Sequence, residues 1–134
     1  GPGISPVPCV NAQILANGTA RVKMEGREVF KSATTKMPDS VRQALTQNGL
    51  TTADIKLLIP HQANLRISEM VQRQLGLRDD QVFNNIQRYG NTTAASIPIA
   101  LHEALDLGLL ARGDLLMLTA FGSGFTWGSA AIRW

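Results

Sequence analysis

Three short segments carry residue types that could do chemistry. Pro60-His61-Gln62-Ala63-Asn64 places an imidazole and an amide directly after the apolar run Leu57-Leu58-Ile59. Gly90-Asn91-Thr92-Thr93 holds a second asparagine thirty positions after His61. Phe121-Gly122-Ser123-Gly124-Phe125-Thr126-Trp127-Gly128 is a Gly-rich turn between two further apolar stretches. A proton-bearing imidazole, a primary amide and closely approachable main-chain N–H groups are the parts that stabilise a developing oxyanion. Each also has a plainer reading. His61 could be a satisfied structural histidine, Asn91 a helix N-cap, and Gly122-Ser123-Gly124 a tight connection between strands. No nucleophile accompanies them. Cys9, the single cysteine, lies in Val7-Pro8-Cys9-Val10 without a base beside it and reads as structural.

These residues need elements to position them. Lys56–Pro60 reads as a short strand buried on both faces. Residues 64–75 then read as a helix ending near Gly76, whose N-terminus would depress the pKa of His61 and keep the ring neutral. Upstream, Val29, Phe30, Ala33, Met37, Val41, Ala44 and Leu45 recur at helical spacing between about 28 and 48. Gly49 is a plausible cap for that helix, and Pro38 should kink or divide it. Gln81–Ile86 is a weak strand candidate, and residues 93–107 read as a helix containing Pro98 and ended by Gly108. Leu115–Ala120 and Phe125–Trp134 are strands flanking the Gly-rich turn. Residues 1–25, with three prolines and then Ile14-Leu15-Ala16-Asn17-Gly18, read as an extended segment or strand ending in an Asn-Gly turn. Strand–helix alternation makes the expected class α/β, with residues 26–134 as the main domain.

Bulk properties narrow the function. At 134 residues the chain is one domain, short for a complete α/β enzyme. The net charge of +3 is scattered without a Lys/Arg-rich run, which argues against nucleic-acid binding. A mildly basic surface suits an acidic or phosphate-bearing partner. Arg66 and Arg73, seven positions apart on one predicted helix, share a face that is either solvated or holds such a partner. One cysteine allows no intrachain disulfide and favours a reducing, cytoplasmic compartment. Apolar runs such as Leu115–Leu118 fall far below the ~20 residues of a membrane span, and no signal peptide is expected. His102 reads as a surface residue, and two histidines and one cysteine share no metal-ligand spacing.

In order and spacing the three segments resemble the C-terminal half of β-ketoacyl-acyl-carrier-protein synthase III, and the resemblance extends over roughly residues 24–134. Gly26-Arg27-Glu28-Val29-Phe30-Lys31 resembles the start of that half's first helix. The resemblance implies half of a thiolase-like layered fold, a mixed sheet covered by helices, normally in a homodimer. It implies a Cys-His-Asn site in which His61 and Asn91 are the histidine and asparagine. The cysteine belongs to the N-terminal half; Cys9 does not match its context. A main-chain amide near Ser123 would hold the oxyanion of the acyl-enzyme. The carrier-docking segment would be Gln62, Ala63, Asn64, Leu65 and Arg66, with Lys31 and Arg73 as further basic contacts. Gly26, Phe30 and Asn64 would border the pantetheine tunnel. Ser123 departs from the family, where that turn position is often glycine.

The implied reaction is decarboxylative Claisen condensation of acyl-CoA with malonyl-acyl-carrier protein, with no cofactor beyond the CoA and phosphopantetheine thioesters themselves. The partners implied are the N-terminal half carrying the cysteine, the acyl-carrier protein and acyl-CoA, with neither nucleic acid nor membrane. The chain alone is expected to be incomplete and inactive. One alternative keeps the fold and transfers acyl groups to an alcohol or amine, with His61 as general base. Another is a non-catalytic half serving as a structural or carrier-binding partner. A lone half should expose apolar surface and associate.

Overall fold

The computed structural model describes residues 12–18 and 24–134. Cys9 and the other residues before Ala12 lie outside that range, as do residues 19–23. In chain order the elements are α1 (Ala12–Ala16), α2 (Gly26–Gln47), β1 (Ile55–Pro60), α3 (Leu65–Leu75), α4 (Ile86–Tyr89), α5 (Ser96–Asp106), β2 (Leu115–Gly122) and β3 (Thr126–Arg133). Single 3-10 turns stand at Thr52–Asp54, Asp79–Gln81 and Thr93–Ala95. The three strands form one mixed sheet in the order β1-β2-β3, with β1 parallel to β2 and β2 antiparallel to β3.

Helices cover both faces of the sheet. On one face Ala33, Met37, Val41 and Leu45 of α2 and Ile67, Val71 and Leu75 of α3 pack on Ile55, Leu58, Leu115, Met117 and Phe121. On the other, Ala100 and Ala104 of α5 pack with Leu110 on Leu57, Ile59 and Leu116. Ile55 and Leu57, two apart, would share a face in a regular strand. They do not, because a bulge between them shifts the register from Ile55 opposite Leu115 to Leu57 opposite Leu116. Beyond the bulge, ordinary alternation puts Leu57 and Ile59 in one apolar layer and Leu58 in the other.

Three helices end alike. Each is followed by Gly-Leu, and in each the leucine N–H reaches back five residues: Leu50 to Leu45 O, Leu77 to Gln72 O and Leu109 to Ala104 O. Each glycine N–H bonds three residues back, completing a Schellman closure. The left-handed φ near +66° at Gly49, Gly76 and Gly108 is what these closures require.

Several expectations are corrected. Residues 12–16 are helical rather than extended; Ala12-Gln13-Ile14-Leu15-Ala16 has good helix formers, and Asn17-Gly18 closes that turn instead of a hairpin. Pro38 does not divide α2, which runs unbroken for 22 residues with the pyrrolidine buried. Residues 81–86 are not a strand. Val82 makes one parallel bridge to Leu58, and the Gln81 side chain takes the place of a strand neighbour by donating to Ile55 O at 2.6 Å. The chain then turns at Asn85 into α4. The helix expected at 93–107 begins at Ser96, so Pro98 falls in its first turn, where a missing N–H costs no helical bond.

Leu58 is fully buried between β2 and the α2/α3 layer. Leu58→Ala should lower unfolding free energy by about 2–5 kcal/mol, read as a shifted denaturation midpoint at unchanged slope.

Candidate active site

His61 is the first residue past β1, and its N–H donates to Thr119 O at 2.8 Å, extending the β1–β2 pairing by one step. The ring is fixed from the other side by Ser96, the first residue of α5. His61 Nδ1 lies 2.6 Å from Ser96 Oγ, and the Gln62 main-chain N–H donates to the same oxygen at 3.3 Å. Ser96 is buried, and among the described residues its hydroxyl proton has no other acceptor than Nδ1. With the Ser96 hydroxyl donating to Nδ1, the ring N–H is assigned to Nε2. Burial holds the pKa of the ring below its ordinary value of 6.5. The direction agrees with the expectation from sequence, and desolvation by burial is its cause.

Asn91 follows α4 and Gly90. Its Oδ1 accepts the N–H of Thr93 at 2.9 Å, which leaves the Nδ2 hydrogens as the free end of the amide. Thr93 has a φ of +53°, a left-handed conformation that strains a β-branched residue and is held here by this Asx bond. Asn91 thus anchors a strained turn with its oxygen while offering a donor with its nitrogen.

The Gly-rich turn completes the site. Thr126 Oγ1 donates to Ser123 O at 3.1 Å, closing the turn between β2 and β3. At Gly124, where φ is +142°, a Cβ would collide with the Thr126 hydroxyl, so a side chain is excluded. Phe121 packs on Phe125 with ring centroids 4.9 Å apart and stacks on Trp127 at 6.5 Å. Two cavities meet here. One, about 800 Å³, runs along β2, β3 and the start of α5 past Ile97, Leu118 and Ala130. The other, about 580 Å³, is bordered by Met24, Glu25, Glu28, Val29, Ala63 and Phe125. His61, Asn91, Phe121, Gly122 and Ser123 line both.

Two residues not singled out from the sequence support this geometry. Ser96 orients His61. Glu103 on α5 accepts Asn85 Nδ2 and Arg88 Nη2, both at 2.7 Å, and the Tyr89 hydroxyl at 2.8 Å. These bonds, that from Asn85 foremost, hold its carboxyl below the usual carboxylate range, although partial desolvation opposes them. Gln62 is corrected in role. Assigned to carrier docking, it is only 2% exposed; its Nε2 donates to Pro60 O at 2.7 Å and its Oε1 accepts from Asn85 N and Ile86 N. A side chain so enclosed does not reach the surface on which a carrier would dock.

The other expected positions are placed as follows. Ala63, Asn64 and Arg66 are exposed and Leu65 half-buried, with Asn64 Oδ1 capping α3 through the Arg66 N–H at 3.0 Å. Lys31 on α2 and Arg73 on α3 are exposed. Phe30 packs against the α2/α3 core rather than bordering either cavity, and Gly26 also lies outside both linings. His102 is exposed and pairs with Asp106 at 3.4 Å. Among the described residues no three His, Cys, Asp or Glu side chains cluster as metal ligands, and no helix is long and apolar enough to cross a membrane.

A bulged mixed sheet between helix layers, with His61, Asn91 and a Gly-rich turn at the mouth of two cavities, defines part of a thiolase-like fold. Residues 45–134 match the family described as 3-oxoacyl-[acyl-carrier-protein (ACP)] synthase III C terminal. The chain belongs to that family. It is 52% identical to β-ketoacyl-[acyl-carrier-protein] synthase III of Desulfotalea psychrophila over 115 residues, 86% of this chain and 36% of that protein. The relative from Roseiflexus castenholzii is also 52% identical, over 91% of this chain and 37% of its own length. The crystal structure of 3-oxoacyl-[acyl-carrier-protein] synthase III from Aquifex aeolicus superposes with a TM-score of 0.84 at 46% identity, covering 88% of this chain and 38% of that one. The chain thus spans little more than a third of the length of the relatives it matches.

The neutral His61 ring is expected to titrate below 6.5, with Nε2 protonated at neutral pH, in ring-nitrogen NMR. Because the folded pKa is the lower one, this group's stabilising preference is present above 6.5 and is lost as pH falls through the folded value. Ser96→Ala should abolish the tautomer preference; an unchanged nitrogen spectrum would contradict the assignment.

Proposed function

We propose that this chain is the His-Asn half of a β-ketoacyl-acyl-carrier-protein synthase III, catalysing decarboxylative Claisen condensation when joined to an N-terminal part that carries the nucleophilic cysteine. The observation that carries the proposal is the matched pair of donors. Ser96 leaves His61 with its N–H on Nε2, and Thr93 leaves Asn91 with its Nδ2 hydrogens free, on one shared cavity wall.

An acyl group passes from acyl-CoA to the cysteine, the thiolate forming a thioester as CoA leaves. A main-chain N–H of the Gly122-Ser123-Gly124 turn would hold the oxyanion of that exchange. Malonyl-acyl-carrier protein then loses CO2. The electron pair of the broken C–C bond moves into the thioester as an enolate, whose oxygen takes hydrogen bonds from His61 and Asn91. The enolate carbon attacks the acyl-cysteine carbonyl, the new C–C bond forms, and the cysteine thiolate leaves. The charge on the enolate oxygen develops only along this path, so donors aimed at it lower the barrier rather than tighten ground-state binding. A ring that presents N–H to the cavity is a donor there and not a base, which favours condensation over acyl transfer to an alcohol or amine.

The remaining roles belong to the same proposal. The thioesters are the substrates, and no further cofactor is required. Lys31, Arg66 and Arg73, with Ala63 and Asn64, are exposed and mildly basic, which suits an acidic carrier, and Leu65 is half-buried beside them. The cavity bordered by Met24, Glu28 and Phe125 suits an extended pantetheine arm, whereas Gly26, Phe30 and Asn64 stand outside its lining. The chain by itself, without the cysteine-bearing part, would be inactive; the complete enzyme would work as a homodimer in the cytoplasm.

In the complete enzyme, Asn91→Ala should slow malonyl-thioester decarboxylation by about 10²–10³-fold while acyl loading from acyl-CoA persists. Release of labelled CO2 measures the first and acyl-enzyme mass the second. Decarboxylation at the wild-type rate would sink the proposal.

A further inference from the structure

We infer that Glu103 is a positioning residue for the reaction, acting through the segment that presents Asn91; the inference rests on the functional reading above. Asn91 is delivered by α4, a single turn of four residues. A helix of that length has no stability of its own, because nucleation is unfavourable and few bonds follow it. It must be held from outside at both ends. At its start, Gln62 Oε1 accepts the N–H groups of Asn85 and Ile86 at 3.0 and 3.2 Å. Its far end, the one next to Gly90 and Asn91, is held by α5 through Glu103.

One carboxylate takes three donors: Asn85 Nδ2 and Arg88 Nη2 on Oε2, and the Tyr89 hydroxyl on Oε1. The donors therefore bracket α4, at the residue before it and at its last two residues. The carboxylate side chain is 15% exposed, so these charge-assisted bonds are partly sheltered from water. Arg88 also lies over the Tyr89 ring at 5.6 Å, which fixes the two donors relative to each other. Glu103 itself lines neither cavity. Its reach to the chemistry is mechanical: it sets where α4 ends, and so where the Asn91 amide stands opposite His61.

The test uses the complete enzyme and both half-reactions. Glu103→Gln keeps the size of the side chain but removes its charge and points an N–H2 group at a cluster of donors. It should lower kcat for malonyl-thioester decarboxylation by about 10–100-fold, the cost of displacing a reacting group by a fraction of an ångström to an ångström. KM should be little changed, because the lost interaction belongs to the transition state, and acyl loading from acyl-CoA should be unaffected. Tyr89→Phe, which removes one donor from an exposed residue, should give a several-fold loss in the same half-reaction alone, and it decides the matter if Glu103→Gln does not fold. An equal fall in both half-reactions, or wild-type decarboxylation in the folded variants, would overturn the inference. Asn91→Ala is measured alongside. If Asn91→Ala is slow and the Glu103 and Tyr89 variants are fast, only this inference fails. If Asn91→Ala is itself as fast as wild type, the functional reading fails with it.

Discussion

The side chain of Gln62 is the fastening on which the site depends. It is a neutral amide buried beside the end of β1, and a buried amide is tolerable only when its donor and acceptor are both used. Its nitrogen binds the carbonyl of Pro60, the last residue of β1, and its oxygen receives the first two N–H groups of the α4 region. One residue thereby couples the strand that carries His61 to the turn that carries Asn91. The neighbouring main-chain N–H of Gln62 goes to Ser96, which brings the start of α5 to the same point. Three elements distant in sequence converge within two residues of the imidazole.

Around that junction the sheet and its two helix layers act as a frame. The parallel pairing of β1 with β2 continues to His61, so the histidine backbone is as rigid as the strands beneath it. The antiparallel β2–β3 pair fixes the Gly-rich turn at the same end of the sheet. A second set of hydroxyls ties this frame to α2: Ser40 bonds Ser129 at 2.7 Å, and Ser129 donates to Thr119 at 2.9 Å. Only the Asn91 turn lacks a strand or long helix under it. Side-chain bonds from Gln62 and Glu103 supply there what main-chain pairing supplies elsewhere.

Much of this was legible from residue pattern. β1 and β2 stand out because runs of three and four apolar residues, Leu57–Ile59 and Leu115–Leu118, leave few other readings, and the Gly-Leu steps punctuate three helices. Misreadings arose where a side chain substituted for backbone pairing. Val82 and Phe83 look like strand residues, yet the Gln81 amide occupies the position a longer strand would have filled. Ile14-Leu15-Ala16-Asn17-Gly18 reads as an extended segment or strand ending in a turn, but a short helix closes with the same Asn-Gly pair. His61 and Asn91 were recognisable because each sits in a compact local motif. Ser96 and Glu103 were not, since their partners are 35 and 14–18 residues away and periodicity carries no information at such separations. Gln62 illustrates the opposite error, a polar residue inside a surface-like motif that folding turns inward.

The Gln81 amide has a broader consequence for the sheet. Together with Phe83, whose N–H donates to Leu58 O, it occupies hydrogen-bonding positions along the outer side of β1. That margin is blunted against an incoming strand in the way proteins commonly protect exposed sheet edges. The outer side of β3 has no strand neighbour among the described residues. The two margins of the sheet therefore differ: a side-chain amide and a single bridge occupy the outer side of β1, while β3 is the outermost described strand on the other side, where it carries Trp127 and Ala130.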